Sequence, residues 1–266
     1  MPERDTTRIK LPALLFLAAA ASAQTIVVHP SKVPGVTMTG PRDAPYGEEV
    51  DRILGPVRPP SMTGWLPYGV VVSNGTSQTI VAVAVRWVTA GANGMARTYT
   101  FPYEMFGRAP RQIQPGKSVL SLFDMQLFDG PPRPALESLF QNRMGRLAEI
   151  QGATNTDVYL DGVVYASGQF AGPDTMHEFE SWQAETTAAP LLAAQVVAKK
   201  GAGEPTANIV SWLQATAPLE KSHDLTEEVT GRTARQLVQT FNRSGEARFY
   251  QEAGSEAQPL IKLYRE

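Results

Sequence analysis

The sequence predicts an α+β fold, an antiparallel β-sandwich of about seven short strands followed by a C-terminal helical region. Three observations carry this. From Trp65 to Phe170 short apolar runs with a period of two are separated by turn residues. After Gly172 the period lengthens to about 3.6. The chain has 266 residues, 42% of them hydrophobic, which is enough for one large domain or two small ones with a sizeable core.

Residues 1–23 read as a secretory signal. Arg4, Arg8 and Lys10 give a positive start, Leu11 to Ala21 is apolar without a charge, and Ala21-Ser22-Ala23 supplies small residues for cleavage between Ala23 and Gln24. The apolar stretch spans only about 16 Å as a helix, about half a hydrocarbon core, so no membrane span is expected in the mature chain. The expected location is exported, periplasmic or extracellular. Residues 24–64 hold Pro30, Pro34, Pro41, Pro45, Pro56, Pro59 and Pro60. Proline disfavours regular helices and central strands, so this stretch reads as an extended linker with one short helical turn at Glu48–Leu54.

Residues 65–170 carry the strands. Tyr68–Ser73 is a β-branched run that ends in Asn74-Gly75, the strongest short turn signal. In Thr79–Thr89, Val81, Val83, Val85 and Trp87 share one face and Ala82, Ala84 and Arg86 the other, the pattern of a half-buried strand. Ala96–Tyr103 and Lys117–Phe123 follow, the second opened by Pro115-Gly116. Leu136, Leu139, Phe140 and Met144 predict a short crossing helix over Ala135–Met144, and Arg146–Gln151 reads as a strand. Thr156–Leu160 and Val163–Ser167 flank Asp161-Gly162 as a tight hairpin. The strand count is that of an immunoglobulin-like sandwich.

Residues 171–266 form the helical region. Thr175 and Glu178 fit a capping box, with Met176, Phe179, Trp182 and Thr186 at helical intervals. Pro190 is expected to kink or end that helix, with Leu191–Lys200 as its continuation before Gly201 and Gly203. Ala207–Thr216 and Thr233–Asn242 are further helices, and Leu260–Tyr264 is apolar enough to dock as an edge strand or closing segment.

Gly69-Val-Val-Val-Ser-Asn-Gly-Thr-Ser-Gln-Thr-Ile80, Val83-Ala-Val-Arg-Trp87 and Gln114-Pro-Gly-Lys-Ser118 together cover about 60 residues. This stretch resembles the FxLyD and late-embryogenesis-abundant type of immunoglobulin-like domain. The Phe-x-Leu-x-x-Asp ending of that family is absent, and Leu122-Phe123-Asp124 only loosely echoes it. Asp161-Gly162 through Gly172-Pro-Asp174 and the helix after it resemble uncharacterised exported proteins. The resemblance implies a fold and no activity.

Composition excludes several chemistries. With no cysteine there is no disulfide, thiolate nucleophile, Cys-ligated zinc or iron–sulfur cluster. A net charge of −2 without basic–aromatic interleaving predicts no nucleic-acid partner. Gly116-Lys117-Ser118 lacks the phosphate-loop glycine five positions earlier, where Arg111 stands, and reads as a turn. Of three histidines, His29 lies in the proline-rich stretch, His223 pairs only with Asp224, and His177 stands beside Glu178 without the second histidine of a zinc-protease helix.

His177, Glu178 and Glu180 are therefore the candidate catalytic residues, with Asp174 one turn below Glu178. They read either as a weak metal or acid–base cluster or, the favoured reading, as a charged first turn complementing the helix dipole. Asp157 and Asp161 face one side of a strand, but Asp161 is explained by its turn. Trp65, Trp87, Trp182 and Trp212 read as core rather than as the lining of a sugar cleft, and Arg232, Arg235, Arg243 and Arg248 as a solvated helix face. No cofactor or metal is expected. The leading expectation is a non-enzymatic exported module that binds an envelope protein or glycan. A hydrolase or carbohydrate-active enzyme with a carboxylate site between sheet and helices is the first alternative. A structural envelope component that oligomerises is the second.

Overall fold

A computed structural model describes residues 25–55, 58–91, 94–104, 112–127, 133–217, 224–258 and 260–265. Residues 1–24, with the expected signal segment and its cleavage residues Ala23 and Gln24, and His223 lie outside the described residues. In chain order the elements are β1 (Thr25–Val28), β2 (Val36–Thr39), α1 (Tyr46–Leu54), β3 (Val70–Asn74), β4 (Ile80–Gly91), β5 (Ala96–Glu104), β6 (Ser118–Leu122), β7 (Met125–Leu127), α2 (Arg133–Gln141), α3 (Met144–Gln151), β8 (Ala153–Tyr165), β9 (Gln169–Ala171), α4 (Glu178–Gly201), α5 (Thr206–Thr216), α6 (Leu225–Glu256) and β10 (Tyr264–Arg265). The fold is α+β, with these ten strands in two largely antiparallel sheets and a helical part after them.

One sheet runs β2-β3-β6-β7 and the other β5-β4-β8-β9, with β1 added parallel to β8 and β10 parallel to β9. Their facing sides share one hydrophobic cluster, to which Val72, Leu120 and Leu122 come from the first sheet and Val83, Val85, Trp87, Val158 and Leu160 from the second. Burial of this apolar surface is the main force holding the sheets together.

The outer face of β4 is covered as well. Val81, Ala82, Ala84, Val164 and Phe170 pack against Phe179 and Trp182 of α4 and against Leu263. The expected half-buried strand is therefore buried on both faces, with alanines where the helix approaches. The expected placement of Val81 is corrected by a bulge. Ile80 pairs with Tyr165 and Ala82 with Val164, so Val81 is the extra residue and turns outward with Ala82.

The reading of residues 24–64 as a linker is corrected. Val33, Val36, Tyr46, Val50, Ile53, Met62 and Trp65, at its end, are buried in the main cluster. Two of the prolines stand where they are harmless: Pro45 is the N-cap of α1 and Pro60 opens a 3₁₀ turn, positions that need no amide donor. Arg146–Gln151 is helical rather than extended. Leu147 and Ile150 sit three residues apart and both are buried, a helical spacing that a six-residue window confuses with a strand.

The Asp161-Gly162 hairpin is also corrected. β8 runs straight through, and the register with β4 passes from Ala84↔Gly162 to Val85↔Leu160, leaving Asp161 as the extra residue of a second bulge. A Cβ on Gly162 would lie 2.6 Å from the Phe170 ring, so glycine here serves close packing and not a turn. The Asn74-Gly75 turn passes the chain between sheets, since β3 and β4 do not pair. Asn74 is buried. Its amide donates to the carbonyls of Gln78 and Ile113, 2.8 Å each, and its side-chain oxygen accepts from Thr76 N at 3.0 Å.

α4 continues through Pro190 and ends at Gly201. With α5 and α6 it encloses Leu192, Val196, Ile209, Leu213, Leu237 and Phe249. α6 is two helical pieces broken at Gly245, whose φ is 79°.

Candidate functional site

The three residues singled out by sequence, His177, Glu178 and Glu180, stand at the joint between the second sheet and α4, and the structure surrounds them with Asp161, Asp174, Arg86 and Arg265. The joint is built from the bulge. A bulge re-aims one side chain out of the strand's alternation, and here it directs Asp161 at the loop 172–177. Asp161 is 1% exposed, and its carboxylate accepts from Thr175 N at 3.3 Å, Met176 N at 3.1 Å and the Thr175 hydroxyl. Its backbone carbonyl accepts from Asp174 N at 2.9 Å.

That grip holds an unusual backbone. Asp174 (φ 50°) and His177 (φ 58°) are both left-handed, at a cost of about 1 kcal/mol each that the surrounding bonds must offset. The expected capping box is not what starts α4. Thr175 gives its hydroxyl to Asp161, the N-cap position falls on His177, whose side chain makes no capping bond, and Asp174 from the preceding loop accepts from Phe179 N in the first turn at 3.2 Å.

Two arginines balance the acids. Arg86 Nε lies 3.4 Å from Asp161 Oδ1, and its guanidinium rests 4.4 Å above the Tyr159 ring. The Tyr159 ring stacks on His29 at 4.2 Å, and His29 Nε2 is 2.8 Å from Asp157 Oδ1. Asp157 and Asp161 thus belong to one chain of contacts along β8. Arg265 donates to Asp174 Oδ2 and, at 3.0 Å, to Glu180 Oε1, while lying 4.4 Å from the Phe179 ring.

Glu178 is half-buried beside these groups. Burial, and then the negative charges of Asp161 and Asp174, push its carboxyl up to about 7. His177 is exposed, its Nδ1 3.9 Å from Glu180. Asp174, His177 and Glu180 bring one ligand atom each within 4.8 Å of one another, a spacing a cation accepts, but Arg265 already binds both carboxylates. Chemically the joint offers one carboxyl able to exchange a proton near neutrality, beside acids spent on structure.

Sequence reasoning missed Arg86, Arg265 and the part played by Asp161. The available signal was Asp161-Gly162 inside an otherwise apolar strand pattern, which marks a bulge as readily as a turn. The tryptophans do not converge on a cleft. Trp65 packs on Phe140, Trp87 on Phe101 and Phe123, and Trp182 on Phe170, while Trp212 lies under Lys199.

Clefts also lie elsewhere among the described residues. One of about 310 Å³ lies between β5 and α3, where Tyr99 Oη donates to Glu149 at 2.5 Å. That bond, with Arg146 and Arg97 nearby, holds the Glu149 carboxyl below its usual range. Another of about 340 Å³ runs between α4 and residues 260–263. Among the described residues no helix is long and apolar enough to cross a membrane. No family model, no curated protein and no solved structure matches the chain.

Proposed function

We propose that the chain is an exported, non-enzymatic interaction module of the cell envelope, built on an immunoglobulin-like sandwich of the type its turn motifs resemble. The observation that carries the functional reading is the commitment of the carboxylates. Asp161 and Asp174 hold the backbone of loop 172–177, and Asp174 and Glu180 hold Arg265, so the joint fixes the helical part to the sheet. A rigid joint presents sheet and helices as one composite surface.

The fold reading is supported by strand order. The row β2-β3-β6 is compatible with strands A, B and E and the row β4-β8-β9 with C, F and G, with the buried Trp87 on the C-like strand, whereas β7 lies beside β6 but follows it in the chain, where strand D would precede strand E. Export is supported by the charge and apolar pattern of residues 1–23.

The test is a crosslinked pull-down with residues 24–266 against an envelope extract, beside turnover assays on ester, phosphate, peptide and glycan substrates. A saturable partner without turnover is the expected result. Turnover abolished by Glu178→Gln at a melting temperature no lower than that of the unaltered chain would overturn it and favour the second reading, an exported hydrolase. That reading rests on one observation, a half-buried Glu178 able to act as acid or base near neutral pH.

A further inference from the structure

The segment 260–265 leaves the helical part and returns to the second sheet as an added parallel strand, with Tyr264 opposite Gln169 and Arg265 opposite Phe170. Three features make the edge of β9 a fitted receptor for it. Leu263, 3% exposed, enters the apolar cluster of Phe170, Phe179 and Trp182. Two positions on, Arg265 reaches Asp174 and Glu180 and covers the Phe179 ring. Between strand and segment, Gly168 (φ 92°) leaves room for the close approach: a Cβ there would lie 2.1 Å from the Lys262 carbonyl oxygen, while Gly168 O accepts from Tyr264 N at 3.0 Å. Backbone pairing along the edge, one apolar socket and one paired-carboxylate socket are the parts of a strand-addition site.

We propose that the β9 edge with Asp174 and Glu180 is an acceptor site for an extended peptide bearing an apolar residue two positions before an arginine, filled in cis by residues 260–265 and open in trans to the same segment of a second copy of this chain. The complementarity is displayed by the segment already seated there. Only two residues pair as strand, and the tether adds an effective concentration of about millimolar to the contacts of Leu263 and Arg265, which an untethered copy of the segment has to match. The site does not depend on whether Glu178 has chemistry of its own.

The probe is a labelled peptide of residues 258–266, titrated against the full chain. Arg265→Ala in the chain weakens the cis segment and leaves the acceptor intact, so this variant is expected to bind the peptide at least about tenfold more tightly than the unaltered chain. Peptides with Leu263→Ala or Arg265→Ala should lose most of that binding, and Gly168→Ala in the chain should remove it. A natively folded Arg265→Ala chain that binds no better than the unaltered one, or that binds altered and unaltered peptides alike, would overturn the proposal. Hydrogen exchange on the unaltered chain is a second measurement that needs no variant. Millimolar unlabelled peptide should accelerate exchange of the Tyr264 amide, and an unchanged rate would equally overturn it.

Discussion

Asp161→Ala tests the joint directly. The substitution removes the acceptor of Thr175 N, Met176 N and the Thr175 hydroxyl, and the acidic partner of Arg86. Thr175 and Met176 are exposed, so their donors can turn to water and each of the three lost bonds costs only about 0.5 kcal/mol. The loss at Arg86 weighs more. Its side chain is 19% exposed, and stranding one member of a buried pair costs about 3–5 kcal/mol, less here because Arg86 keeps some water and the Tyr159 ring. The expected loss is about 3–5 kcal/mol in all, roughly a 10 °C drop in melting temperature. Asp161→Asn keeps an acceptor oxygen and should lose about half as much. Denaturant unfolding followed by tryptophan fluorescence measures both. In a double-mutant cycle with Arg86→Met, the two losses should fall short of adding by at least about 1 kcal/mol. An Asp161→Ala chain within about 1 kcal/mol of the unaltered protein, or strict additivity with Arg86→Met, would refute the account of the joint.

Glu178 gives a pH dependence of definite sign. Its carboxyl is raised from 4.5 to about 7, so the folded chain holds a proton that the unfolded chain releases, and the resulting stability is full below about 4.5 and lost as pH rises through about 7. Glu178→Gln should flatten the stability profile over that window, as read by melting temperature against pH, and Asp161→Asn should move the Glu178 titration downward in an NMR titration. Gly162→Ala should cost about 1–3 kcal/mol in denaturant unfolding, because its Cβ would meet Phe170 at 2.6 Å. Asn74→Ala strips the Gln78 and Ile113 carbonyls of their donor and should cost about 2–4 kcal/mol. In a glycosylating host, mass spectrometry should find Asn74 unmodified in the folded chain, since its amide is buried and fully engaged.

Much of the fold was legible locally. β3, β4, β5 and β6 each lie within a residue or two of the apolar runs that predict them, and α5 starts within one residue of its expected place. The joint was half legible: His177, Glu178 and Glu180 are close in sequence, and a shared turn brings them together. Arg86, Asp161 and Arg265 reach it from 75 or more residues apart in sequence, by pairing and bulging that no local window records.

What the sequence by itself determined is therefore the set of elements whose own periodicity fixes them, and the exclusion of cysteine chemistry. The tertiary structure alone decided that residues 24–64 belong to the core, that β8 is one strand, and that Asp161 points at a loop. The reason is physical. A period of two or 3.6 is a property of a few neighbouring side chains, whereas a bulge depends on which register of β8 against β4 buries both faces at once. Only packing of the other sheet on one side and α4 on the other imposes that register.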